Sequence, residues 1–134
     1  MLFNLTILIT VLVIAYSKIY ERCDLAKDLL HVHHIPSEQI PTWICIASHG
    51  SNFDTRDEKN VTGEYGLFQI PRKIWCGNVT IGCNALCSNF TDDEIEDDVE
   101  CVKKIYKNSG FGGWNIYYQH CKGNQENLIK DCHF

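Results

Sequence analysis

Seven of the chain's 17 carboxylates crowd into the thirteen residues Ser88 to Glu100, read as Ser-Asn-Phe-Thr-Asp-Asp-Glu-Ile-Glu-Asp-Asp-Val-Glu. Clustered carboxylates beside turn carbonyls are what a hard cation such as calcium needs, since it takes six to eight oxygen ligands. A plainer reading covers part of the run: Asp92, Asp93 and Glu94 at a helix start would complement its dipole. It leaves Asp97 and Asp98 unexplained, because they lie past the first turn and repel their neighbours without a cation. The second reactive set is the eight cysteines, Cys23, Cys45, Cys76, Cys83, Cys87, Cys101, Cys121 and Cys132. An even count in an oxidising compartment reads as four disulfides with 105 possible pairings, which spacing does not resolve. Zinc is the competing reading, at Cys83-Asn-Ala-Leu-Cys87. Three sequons, at Asn60, Asn78 and Asn89, fit exposed loops of a secreted protein as glycosylation sites.

Export decides between these readings. Residues 1–17 hold no charged side chain and form an apolar run too short for a bilayer, which needs about 20 residues. Ala15-Tyr16-Ser17 places small residues where a signal peptidase reads. The segment is therefore expected to be a removed secretory leader, with an uncleaved membrane anchor as the alternative. Removal leaves 117 of the 134 residues, from Lys18 onward, and the full charge of −5. That length fits one domain, 18–134, expected to be an extracellular monomer. The acidic balance argues against nucleic acid as a partner, and no membrane partner is expected after cleavage.

The elements that would position these groups are mostly helical. Leu25, Ala26, Leu29, Leu30 and Val32 recur at helical spacing over 21–32. Trp43-Ile44-Cys45-Ile46-Ala47 follows Pro41 and reads as a buried helix, with Trp43 in the core. Asp54 to Gly66 breaks the helical period and reads as short strands and turns. Thr91-Asp92-Asp93-Glu94 matches a capping box, with Ile95, Val99, Val102 and Tyr106 on one face behind it. A short helix over 114–120 closes the domain.

In these blocks the chain resembles the C-type lysozymes and α-lactalbumins (glycoside hydrolase family 22). The resemblance rests on Lys18-Ile19-Tyr20-Glu21-Arg22-Cys23, Trp43-Ile44-Cys45, Ser51-Asn52-Phe53-Asp54-Thr55, Tyr65-Gly66-Leu67-Phe68-Gln69-Ile70, Trp75-Cys76, Cys101-Val102-Lys103-Lys104-Ile105 and Cys121-Lys122-Gly123. It implies an α+β lysozyme-like fold, a mainly helical domain with a small antiparallel β domain. It also implies the pairs Cys23–Cys132, Cys45–Cys121, Cys76–Cys87 and Cys83–Cys101. A sugar cleft between the two parts would use Gln69, Trp75 and Trp114, while Ile74 stands where another aromatic is frequent. For calcium, the resemblance implies side chains from Asp92, Asp97 and Asp98 and carbonyls from Asn89 and Glu94.

The family's hydrolysis needs a protonated carboxyl to release the leaving oxygen and an ionised carboxylate on the other face of the sugar. The acid's position is Gly50 here, the second carboxylate is Glu64, and the Asn that helps hold the second is Pro71. His49 is adjacent but points about 100° away on a helix, so it reads as structural rather than as a substitute acid. Three functions follow as expectations. The first is a defence-type protein that binds N-acetylglucosamine-containing glycans, of peptidoglycan or chitin type, without hydrolysing them. The second is a weak lysozyme using Glu64, and the third an α-lactalbumin-like regulatory or protein-binding role.

Overall fold

A computed structural model describes residues 18–77 and 82–134. The expected leader and the sequon residue Asn78 lie outside the described residues. Helix α1 spans Arg22–His31, and the Glu21 side chain caps it by accepting from the Cys23 and Asp24 N–H groups at 2.9 and 3.2 Å. Leu25, Ala26 and Leu29 are buried as the spacing predicts. Val32 is not. It ends the helix as its C-cap and is exposed. Helix α2, Ile40–Ser51, starts with Pro41 in its first turn, where the missing N–H costs nothing, and ends at Asn52 in the left-handed region, φ 52°. It is buried on nearly every side, which is why its sequence is almost wholly apolar.

Three two-residue strands follow, β1 (Glu58–Lys59), β2 (Glu64–Tyr65) and β3 (Ile70–Pro71), in the order β1-β2-β3 and antiparallel throughout. The third lies beyond the stretch where strands were expected. Pro71 is tolerated because β3 is an edge strand, and its partner in register is Glu64. A single turn of helix, α3 (Arg72–Trp75), leads away from the sheet.

Helix α4 spans Glu96–Ser109 and begins later than the capping-box pattern predicts. Thr91 ends a 3₁₀ turn, Cys87–Thr91, and its hydroxyl donates to Ser88 O at 2.9 Å instead of accepting from the helix. The intervening residues are left to form a loop of carboxylates. Beyond α4 come a 3₁₀ turn at Gly110–Gly113, a π-helical turn at Tyr117–Cys121 and a 3₁₀ turn at Glu126–Leu128.

Trp43 centres the core, edge-on to Phe68, Tyr106, Phe111 and Trp114 at 4.8–6.0 Å between ring centroids. The four disulfides are Cys23–Cys132, Cys45–Cys121, Cys76–Cys87 and Cys83–Cys101, and none of the cysteines is free. These are the expected pairs, so the zinc alternative has no thiolate to use.

Candidate functional site

Strands β2 and β3 and helix α3 form one wall of a cleft, and the chain from Asn108 to Ile116 forms the other, enclosing about 470 Å³. Glu64 lines the cleft from β2, half-buried, and its Oε2 accepts from Thr62 Oγ1 at 3.0 Å. Trp75 and Trp114 both line the cavity, yet they are only 8% and 2% exposed. The Trp114 indole N–H donates to Phe68 O at 2.8 Å, so it has no donor left for a sugar, and the ring serves as wall and core at once. Trp75 lines the cavity beside Ile74, which is 56% exposed.

Gln69 stands behind the wall. It is 1% exposed, has φ 52°, donates from Nε2 to Gly66 O at 2.9 Å and leaves Oε1 without a partner. Its side chain and that of Ile116 close the space beside Gly50. A Cβ at position 50 would stand 2.8 Å from Gln69 Cγ and 3.0 Å from Ile116 Cδ1. Lys59 Nζ reaches Gly50 O at 2.7 Å and also pairs with Asp57, tying the end of α2 to β1. His49 is exposed and stacks on His120, 4.4 Å between centroids and 2° between planes, away from the cleft. Sequence reasoning did not find Ile116, Lys59 or Thr62. Nothing in their local pattern marks them, since their roles arise from contacts made across the fold.

A second cluster sits on the other side of β2. Carboxylate oxygens of Asp92, Asp97 and Asp98 lie within 4.8 Å of one another. Asp98 is 1% exposed, and neither of its oxygens has a hydrogen-bond partner among the described residues. Burial pushes its carboxyl up to about 9, with Asp97 and then Asp92 adding to the rise. Asp92 Oδ1 and Asp97 Oδ1 accept from the Glu94 and Asp98 N–H groups, both at 3.0 Å, leaving their outer oxygens free. Such a buried, unpaired carboxylate is expensive unless a cation meets it, so this donor set fits a hard divalent ion. Asn89 and Glu94 lie on the same loop and are exposed. Gly66 packs directly on the loop, where a Cβ would stand 1.9 Å from Phe90 O and 2.8 Å from Asp98 Oδ2. Cys23, Asp131 and Cys132 also group closely, but both cysteines are in their disulfide and offer no thiolate. Of the sequons, Asn60 and Asn89 are both exposed.

A two-part fold stapled by four disulfides, with a carboxylate lining the cleft, defines a lysozyme-type protein. The chain belongs to the C-type lysozyme/alpha-lactalbumin family, whose model matches residues 18–132. It is 35% identical over 124 residues to lysozyme c-1 of Anopheles gambiae, covering 89% of this chain and 88% of that one. To alpha-lactalbumin of Bubalus bubalis it is 36% identical over 110 residues, 75% of each. Among solved structures it superposes on holo-type canine milk lysozyme with TM-score 0.73 and 32% identity, covering 88% of this chain and all of that one. A Litopenaeus vannamei lysozyme gives TM-score 0.76 at 26% identity, covering 88% and 99%.

Proposed function

We propose that this is a secreted, monomeric lysozyme-like protein that holds N-acetylglucosamine-containing glycans in its cleft and does not cleave them. The observation that carries this reading is the packing around Gly50. Gln69 and Ile116 crowd the place where an acid's side chain would begin, so one can stand there only if they shift. Glu64 alone can steady positive charge on a sugar but has no proton to give while ionised, and loss of a general acid costs roughly 10²- to 10⁴-fold in rate. Binding asks less. Trp75 and polar groups line the cleft together, and a sugar ring is held by contact of its C–H face with an aromatic and by hydrogen bonds to its hydroxyls.

Calorimetry with chitin or peptidoglycan oligomers, run beside a cell-wall lysis assay on the protein from Lys18 onward, tests both halves. Heat of binding that Trp75→Ala abolishes, with no lysis, is the expected result. Lysis at the rate of an active relative would replace this reading with that of a glycosidase using Glu64. No binding and no lysis would leave a protein-binding role with the cleft unused.

The acidic loop is proposed to hold calcium, with Asp92, Asp97 and Asp98 giving carboxylate oxygens and Asn89 and Glu94 giving carbonyls. Calcium there would supply charge neutralisation, not chemistry on the sugar. The support is the pair of unpartnered oxygens on buried Asp98.

A further inference from the structure

Asp93 belongs to the acidic run but not to the three converging carboxylates. Its Oδ1 accepts from the Lys18 backbone N–H at 3.1 Å and from Thr55 Oγ1 at 3.0 Å, and Arg56 grips both oxygens, Nε to Oδ1 at 3.1 Å and Nη2 to Oδ2 at 3.2 Å. Around this carboxylate, residues 18–20 lie antiparallel to 53–55. The Tyr20 N–H donates to Phe53 O at 2.9 Å, the Thr55 N–H donates to Lys18 O at 3.0 Å, and Ile19 pairs with Asp54. Ordered pairing therefore involves Lys18 itself, which is also where the match to the family begins.

An amide N–H at this point offers one neutral hydrogen bond. An amino terminus offers more. Its ordinary pKa is about 7.7–8.0, so at neutral pH it carries a full charge and extra donors, and charge-assisted bonds are roughly twice as strong as neutral ones. We propose that Asp93 is the receiving site for the α-ammonium group of Lys18, created by hydrolysis of the Ser17–Lys18 bond, and that this pair locks residues 18–20 onto the acidic loop only after the leader is gone. The step consumes one water. Its hydroxyl goes to the Ser17 carbonyl carbon as the C–N bond breaks, and its proton goes to the Lys18 nitrogen. The new carboxyl then passes its own proton on, which leaves a carboxylate and an ammonium.

Position matters in this scheme. A protein that keeps Ser17 carries its charge one residue farther out, about 3.8 Å along the chain, while one starting at Ile19 loses the carbonyl that accepts from Thr55. The inference rests on reading residues 1–17 as a secretory leader, and the tests separate the two. Expression of the full chain in a eukaryotic secretory host, with mass analysis of the medium, should give a protein starting at Lys18. A different first residue overturns the inference, whereas absence from the medium overturns the export reading alone.

The pairing itself is decided on protein whose first residue is fixed by a cleavable fusion, beginning at Lys18 or at Ser17, each with Asp93 or with Asp93→Asn. Thr55 and Arg56 contribute equally to both backgrounds, so their loss cancels in the comparison. Asp93→Asn should lower the melting temperature by a few degrees more in the Lys18 form than in the Ser17 form, and 1 M salt should shrink that excess. Equal losses in both forms would show that Asp93 does not distinguish an ammonium from an amide, and the proposal would fall.

Discussion

A side chain at position 50 must displace Gln69 or Ile116, and Gln69 is anchored through Nε2 to Gly66 O. Overpacking of this kind costs about 1–3 kcal/mol, against a helix-propensity gain of at most about 1 kcal/mol for replacing glycine. Gly50→Ala is therefore expected to destabilise the protein by up to about 2 kcal/mol, measured by urea unfolding. The same contacts change what Gly50→Glu tests. By itself it should give no turnover in a cell-wall lysis assay, because its side chain meets Gln69 and Ile116 at its first carbon. At this scale family blocks in the sequence drew attention to Gly50, Glu64 and Pro71; Glu64 and Pro71 line the cleft, and Gly50 packs against Gln69 and Ile116. The resemblance placed Gln69 among the sugar contacts, whereas the side chain lies behind the cleft wall, out of sight of local pattern.

Elements explain both the successes and the errors of pattern reading. Helices α1 and α4 were legible because their apolar faces follow the 3.6-residue period, and α2 because an almost wholly apolar run follows Pro41. The start of α4 was misread because a Thr followed three residues later by Glu looks like a capping box, while Thr91 turns its hydroxyl back to Ser88 O. That displacement leaves room for the carboxylate loop. Removing calcium with a chelator should lower the melting temperature, and adding it back should restore the value. The sign with pH follows from Asp98. Its carboxyl sits well above its ordinary value, at about 9, so protons compete with the cation across the neutral range. The rise in melting temperature given by a fixed calcium concentration should therefore shrink as pH falls from 8 toward 5, where ~1 mM calcium would show little effect. An increment independent of pH would remove Asp98 from the ligand set.

Two other carboxylates act in the opposite sense. Arg56, then the Lys18 N–H and Thr55, hold Asp93 at about 2, and Arg22 holds Asp131 at about 2 through bonds of 2.8 and 2.9 Å. Both values lie below the ordinary 3.8, so their contribution to stability is complete above that pH and is lost as pH falls toward 2. Acid titration followed by circular dichroism should show Asp93→Asn and Asp131→Asn differing from the parent at pH 6 and converging with it near pH 2. High salt should weaken both effects, since the groups are exposed.

Across the whole molecule, the eight cysteines announced a stapled frame, but their spacing left the pairings open. Only the family resemblance narrowed them, because disulfide partners are fixed by tertiary approach. Cys23–Cys132 spans a sequence separation of 109 residues and Cys76–Cys87 one of 11. With Cys45–Cys121 in place the long bridge closes a loop that runs only through 23–45 and 121–132, so on the loop-entropy account it stabilises by about 4 kcal/mol and the short one by about 3 kcal/mol. Replacing Cys23 and Cys132 together by alanine should thus lower urea stability by about 1 kcal/mol more than replacing Cys76 and Cys87. The long bridge has one more consequence. It makes the backbone from Cys23 to Cys132 a covalent ring, so a protease that nicks any one peptide bond within it releases no fragment. Until the bridge is reduced or a second cut is made, the nicked protein migrates at full mass.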